Sequence, residues 1–260
     1  PCKAYAGNPL NYKEGIDIVV FRENTQGLYS GVEFHPVPQE VRQALSKNSK
    51  AMRRFDSVAD EDMALTLRVI TRDGAYRIIH KAFEYARDNG YPTVTLVEKP
   101  NVLRETSGLM TRVAREIAAE FPKIDLWETN IDAQMMWLLK NPQNYGVMVT
   151  SNLFGDVVSD LAAQLVGGLG FASSGNIGDK FAVFEPTHGS APKYAGQNKV
   201  NPIAMFLAIK LMLDWLNEKE LSANLERAIM DVIAEGKVRT YDMGGNNTTL
   251  EVGKAVAEHI

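Results

Sequence analysis

Cysteine is nearly missing from this chain: Cys2 is the only one, which excludes an internal disulfide and a zinc site built from cysteines. That usage suits a reducing compartment, and the expected location is cytoplasmic. An excess of either charge is missing too. With a formal net charge of −4 and Lys and Arg scattered along the chain, nothing draws it to nucleic acid or to an anionic membrane surface. No run reaches the roughly 20 unbroken apolar residues of a membrane-spanning helix. Neither a Walker phosphate loop nor a G-x-G-x-x-G turn occurs, and internal repeats and low-complexity tracts are lacking. The opening PCKAYAGNPLNYKEG has no initiator Met and no signal-like apolar core, so the chain is expected to begin within a domain.

What is present is the makeup of a globular protein. With 45% apolar and 23% charged residues, 260 residues suffice for one large core or two moderate ones. Strand-like apolar runs alternate with helical periodicity, which predicts an α/β fold with a substantial sheet. IDIVVF (16–21) reads as a strand. Ala75, Ile78, Ile79, Ala82, Phe83 and Ala86 then form one helical stripe that stops at Gly90. TVTLVEK (93–99), a helix through Met110, Val113, Ala114 and Ile117, the strand DLWET, a helix over 133–139, and the strand GVMVTSN continue the alternation. From Gly167 glycines crowd the chain and the texture becomes that of loops near a ligand. Helices resume at NPIAMFLAIKLMLDWLNE and ANLERAIMDVIAEGK. Residues 33–62 are the least regular and read as an excursion from the sheet.

Four stretches carry chemistry. In NLFGDVVSDLAAQLVGGLG, Asp156 and Asp160 stand four apart on one helical face, where like charges cost roughly 0.2–0.5 kcal/mol. Two readings stand at this point: a dipole-favoured first-turn residue with a solvated neighbour, or oxygen ligands for Mg²⁺ or Mn²⁺. Asp132 in NIDAQMM is a third ligand candidate or a helix cap. RENTQGLYSG follows a strand directly and offers Arg22 for a carboxylate, Asn24 for hydrogen bonding, and Tyr29 as an acid or a half-buried aromatic. VEKPNVLRETSG sets Lys99 at a strand end beside Asn101. FEPTHGSAPKYAGQNKVNP (184–202), with His188, is too long and irregular for a connector alone.

Each signal is weak singly, but their order and spacing resemble those of the isocitrate and isopropylmalate dehydrogenase family over nearly the whole chain. The loop HGSAPKYAGQNKVNP is most similar to NADP-type isocitrate dehydrogenases. The resemblance implies an isopropylmalate dehydrogenase-like α/β fold of two domains around a central mixed sheet, with the N-terminal part of the large domain lying upstream of Pro1. Residues 1–166 would form a small, dimer-forming domain with a clasp excursion at about 27–71. Residues 167–260 would be the C-terminal part of the large cofactor-binding domain.

By the same resemblance, Asp156 and Asp160 bind Mg²⁺ or Mn²⁺, and Asp132 reaches the metal across the interface of a homodimer with shared active sites. Arg22 grips a carboxylate of a small tricarboxylate substrate, with Asn101 nearby. Tyr29 protonates the enol after decarboxylation, and Lys99 of the partner helps remove the hydroxyl proton. His188, Gly189, Lys193, Tyr194, Val200, Asn201 and Tyr241 match the cofactor site, with Lys193 and Tyr194 on the 2′-phosphate of NADP. The implied activity is oxidative decarboxylation of isocitrate to 2-oxoglutarate. The alternatives are an NAD-linked homoisocitrate, tartrate or isopropylmalate dehydrogenase, or a non-catalytic regulatory or assembly subunit. Two positions depart from the pattern. Glu98 stands where the family usually has His, and it is expected to raise the pKa of Lys99. Gly245 stands where NADP enzymes often have an arginine.

Overall fold

In the computed structural model, which describes residues 1–260, the chain runs β1 (Cys2–Lys3), β2 (Asp17–Arg22), β3 (Glu33–Phe34), α1 (Gln39–Asn48), β4 (Leu65–Thr66), α2 (Arg72–Asn89), β5 (Thr93–Glu98), α3 (Thr106–Ala118), β6 (Asp125–Asn130), α4 (Ile131–Lys140), β7 (Val147–Thr150), α5 (Asn152–Leu165), β8 (Ser173–Ile177), β9 (Ala182–Pro186), α6 (Ile203–Trp215), α7 (Lys219–Glu235) and α8 (Thr249–Glu258). β5 and β7 are buried at every position, polar Thr93, Thr95 and Glu98 included. Strands covered on both faces have that pattern. They lie inside a mixed sheet of order β1-β2-β7-β5-β6, antiparallel only at β1. The α/β class and the central mixed sheet are as the sequence predicts.

Helices cover both faces. The stripe of α2 (Ala75, Ile79, Ala82, Phe83, Ala86) and that of α3 (Met110, Val113, Ala114, Ile117) pack on Val94, Leu96, Val147 and Val149. On the other face, Leu138 of α4 and Val158, Ala162 and Ala163 of α5 meet Ile18, Val97 and Met148. Local chemistry sets the ends of α2: the Thr71 hydroxyl accepts from the Gly74 N–H at its start, and Gly90 takes the left-handed conformation at its stop. Because β2, β7, β5 and β6 run parallel, their carboxyl ends share one edge of the sheet. In open α/β sheets ligand loops gather at that edge.

The excursion after β2 is less irregular than its sequence suggests. β3 and β4 pair antiparallel and α1 lies between them, but α1 buries no residue, so no apolar stripe announces it. Arg42 fastens it by pairing with Asp60 and donating to the Phe55 and Asp56 carbonyls. At its base the Gln26 side chain donates to the Thr71 hydroxyl and accepts from the Thr71 N–H.

A third core joins Phe171, Ile203, Leu207, Ile229, Val232 and Val252 from α6, α7, α8 and the turn before β8. The glycine-rich stretch expected to be loop contains the β8–β9 hairpin. Gly175 lets the cross-strand Phe184 ring come close, since a Cβ there would stand 3.0 Å from the ring and push it by a few tenths of an ångström. A close approach of this kind puts glycine in a strand and hides the strand's alternation. No helix of the chain is long and apolar enough to cross a membrane.

Candidate functional site

Arg22 closes β2 opposite Thr150, so its side chain leaves the sheet edge where α5 begins. Its Nε donates to Asn152 Oδ1 at 2.8 Å and a guanidinium nitrogen to Asp156 Oδ1 at 2.5 Å. The Tyr29 hydroxyl donates to the other oxygen of Asp156 at 2.8 Å, and the guanidinium lies 5.3 Å from the Tyr29 ring centre. Donation to Asp156 holds the Tyr29 phenol above its ordinary range. Gly155 makes this crossing possible, since a Cβ there would stand 2.6–3.1 Å from the Arg22 side-chain carbons. Asp156 is in the second turn of α5, which corrects the reading of it as a first-turn residue, and its carboxylate faces Arg22 and Tyr29. Asp160, one turn on, is exposed and forms no hydrogen bond to another side chain.

The loop carrying Tyr29 is bracketed by an acid that sequence reasoning passed over. Glu23 is buried and accepts from the Thr25 N–H, the Thr25 hydroxyl and the Gln26 N–H, while Arg77 of α2 pairs with it. Asn24 reaches Asn176 of β8 and so ties this loop to the hairpin.

A second group lies at the ends of β5 and β6. Lys99 pairs with Asp132, and that donation, helped by first-turn N–H groups of α4, holds the Asp132 carboxyl below the usual carboxylate range. Asp132 is not the helix cap. Asn130 holds that position and makes no side-chain capping bond. Glu98 and Lys99, neighbours in sequence, have separate partners: Lys99 pairs with Asp132 and Glu98 with Arg68. Glu98 is 1% exposed and accepts from Arg68 at 3.0 Å, from the Ser107 hydroxyl at 2.5 Å and from the Ser151 N–H at 3.0 Å. Arg68 also donates to the Ser151 and Thr106 hydroxyls and stacks on Phe154. Its charge therefore belongs to Arg68. Asn101 is exposed in the turn after Lys99 and touches none of these groups.

The donor chemistry suits a hard divalent cation, which takes one or two carboxylates and completes its shell with water and substrate oxygens. Asp156 and Asp160 are the carboxylates on adjacent turns of α5 that would supply such oxygens. Within this one chain no three His, Cys, Asp or Glu residues converge, and Asp132 belongs to the Lys99 group.

The third group follows β9. Lys193 stands 4.8 Å from the Tyr194 ring centre, and Tyr194 lies 5.9 Å from Tyr241. The Lys193 ammonium, with Tyr241 beside it, holds the Tyr194 phenol below its ordinary range. The tail of the loop is pinned. Asn201 donates to Asp242 and accepts from the Ile203 N–H, and the Val200 carbonyl accepts from Thr249 at the start of α8. His188 contacts only the carbonyl of its neighbour Gly189, and both are exposed. A cleft of about 370 Å³ lined by Trp127, Trp137 and Tyr145 lies against β6 and α4, at none of these groups.

Residues 1–256 match the family model described as isocitrate/isopropylmalate dehydrogenase. The chain is 40% identical over 248 residues to the probable mitochondrial isocitrate dehydrogenase [NAD] subunit alpha of Caenorhabditis elegans, covering 95% of itself and 63% of that protein. It is 40% identical over 260 residues to the 3-isopropylmalate dehydrogenase of Methanothermobacter thermautotrophicus, covering all of itself and 71% of that protein. Among solved structures, isocitrate dehydrogenase from Methylococcus capsulatus superposes with a TM-score of 0.86 at 38% identity, covering all of this chain and 71% of that one. The chain thus spans only part of the length of the relatives it matches.

Proposed function

This chain belongs to the isocitrate/isopropylmalate dehydrogenase family, and from that premise we propose that it is part of a metal-dependent enzyme that oxidatively decarboxylates isocitrate to 2-oxoglutarate with NADP. The observation that carries the reading is the gathering of Arg22, Tyr29 and Asp156 at the carboxyl edge of the parallel strands, with Lys99 and Asp132 on the same edge. Residues 1–166, with the excursion at 27–71, would be the dimer-forming part, and residues 167–260 a portion of the cofactor-binding domain.

In this reading Asp156 and Asp160 of one chain hold Mg²⁺ or Mn²⁺ together with the partner's Asp132, and the bound cation supplies Lewis-acid polarisation of substrate oxygens. Arg22 turns from Asp156 towards a substrate carboxylate, which it can meet with two parallel N–H donors. The partner's Lys99 helps remove the proton of the substrate hydroxyl as hydride leaves the adjacent carbon for the nucleotide. Tyr29 returns a proton to carbon after carbon dioxide departs. His188, Gly189, Lys193, Tyr194, Val200, Asn201 and Tyr241 line the nucleotide. The second reading is an NAD-linked enzyme acting on isopropylmalate or a related 2-hydroxy acid, favoured by the names of the two relatives above.

The test is calorimetric and kinetic. Mn²⁺ should bind more tightly in the presence of isocitrate, and both Asp156→Asn and Asp160→Asn should weaken it. Unchanged Mn²⁺ affinity in those variants overturns the metal assignment. Reduction of NADP with release of 2-oxoglutarate from isocitrate supports the substrate. Turnover of isopropylmalate with NAD in its place establishes the second reading.

A further inference from the structure

The cleft of about 370 Å³ between β6 and α4 lies where the central sheet ends, since β6 is the last strand of the order β1-β2-β7-β5-β6. Thr95 and Trp127 are cross-strand partners in the β5–β6 register, and both line the cleft on the face that α4 covers. α4 contributes Gln134 and, one turn on, Trp137. Tyr145 completes the wall, its ring 6.0 Å from that of Trp127 and at 89° to it.

The floor of the cleft is polar and unpartnered. Gln134 is 0% exposed, and neither its amide nitrogen nor its amide oxygen has a hydrogen-bond partner. The buried Thr95 hydroxyl has none either. Burying such groups unpaired is costly, so three of these atoms around one cleft mark a place for a ligand's own donors and acceptors. The rim is aromatic, with Trp127 and Trp137 41% and 42% exposed. Apolar walls with a few convergent polar groups are the makeup of a small-molecule pocket. No free charge stands in it. Glu128, the one charged residue of the wall, accepts from Arg115 through both oxygens, at 2.6 and 2.8 Å. Lys140 lies 5.1 Å from the Trp137 ring centre without lining the cleft.

We propose that this cleft binds a small, uncharged, planar cyclic amide, a lactam or imide ring of the pyrimidine-base type. A carboxamide presents a donor and an acceptor side by side, and the complement of that edge is a ring N–H beside a ring carbonyl. The Thr95 hydroxyl can donate to a second carbonyl. The aromatic side chains offer faces and edges on which a flat ring packs. The amide is covered in the free protein, so the guest enters as the exposed indoles swing aside, a rotamer change that is fast at a surface. The site is independent of the dehydrogenase reading. Asp132, which that reading sends to the partner, shares its side of α4 with the exposed Met136 and Leu139, whereas Gln134 and Trp137 share another.

The experiment is titration of the ¹⁵N-labelled 260-residue chain with uracil, followed by NMR of the indole N–H signals of its three tryptophans. Uracil should shift Trp127 and Trp137 saturably and leave Trp215, at the end of α6, in place. 1,3-Dimethyluracil keeps the ring and both carbonyls but has no N–H, and it should bind at least about tenfold more weakly because the buried acceptor stays unpaired. Gln134→Met should erase that difference and raise the thermal unfolding midpoint, since it removes a buried amide without a partner. Trp137→Ala, at an exposed position, should weaken uracil binding with the oligomeric state unchanged. Absence of saturable shifts leaves the amide to water and overturns the site. Equal affinity for the two rings, or shifts that include Trp215, overturn it as well. A lowered midpoint in Gln134→Met shows that the amide is already partnered, and loss of self-association in Trp137→Ala assigns the cleft to a second copy of the chain; either result overturns the proposal.

Discussion

Glu98 and Lys99 are neighbours in sequence, each forms an ion pair, and their surroundings are opposite. Glu98 and its partner Arg68 are 1% and 10% exposed, whereas Asp132, the partner of Lys99, is 68% exposed. The buried carboxylate accepts from three separate segments: the returning arm of the excursion through Arg68, the start of α3 through Ser107, and the start of α5 through the Ser151 N–H. The exposed pair joins only two side chains. A charge withdrawn from water must be matched on every side, so Glu98 knits the three segments that carry the site. A charge left at the surface can exchange partners at little cost.

The largest expected effect comes from breaking the buried pair. Arg68→Met leaves Glu98 charged and without its cation, and stability should fall by about 3–5 kcal/mol, read from urea unfolding. Glu98→Gln should also destabilise, by leaving Arg68 unmatched. Replacing both, Glu98→Gln with Arg68→Met, should cost clearly less than the sum of the two, because no uncompensated charge remains. Strictly additive losses would show that the two side chains do not act as a pair.

A smaller effect is expected on the Arg22 side. Gly155→Ala places a methyl within 2.6–3.1 Å of the Arg22 carbons, which must shift and loosen the bonds to Asn152 and Asp156. Overpacking of this kind costs about 1–3 kcal/mol. Weaker Mn²⁺ binding should accompany it, since the Asp156 carboxylate loses its orientation. Wild-type stability and metal affinity in Gly155→Ala would show that Arg22 does not need to cross α5.

The comparison also separates what the amino-acid pattern discloses from what it conceals. The core of the sheet was legible because β5 and β7 are rich in β-branched and apolar residues and because α2 and α3 repeat their buried stripes at helical spacing. Arg22, Tyr29 and Asp156 could be named from motif order, and their meeting follows from the parallel register of β2 and β7. The hub around Glu98 could not be read, because its cation stands 30 residues earlier in an excursion with no periodicity. α1 escaped notice for the same reason: it buries nothing. α8 did carry a signal, the capping box of Thr248 and Glu251, which marks a helix start in sequence. The β8–β9 hairpin stayed hidden because the glycine that lets Phe184 approach also erases the strand's alternation.

The smallest expected effect concerns the exposed pair. Lys99 lowers the folded-state pKa of Asp132, so whatever stability the pair contributes is present above the unfolded carboxylate value of about 3.9 and is lost as the pH falls through the folded value. Because Asp132 is exposed and screened by solvent, Asp132→Asn should leave the urea midpoint at neutral pH unchanged. The pair should be visible instead in titration. Followed by NMR of the side-chain carboxyl carbon, Asp132 should titrate below an ordinary aspartate in the parent and move up in Lys99→Met. Raising the salt concentration should shift the parent part of the way towards the variant, since an exposed pair is screened within about 10 Å at 0.1 M. An Asp132 titration that ignores both Lys99→Met and salt would show that the first turn of α4, and not the lysine, sets its charge.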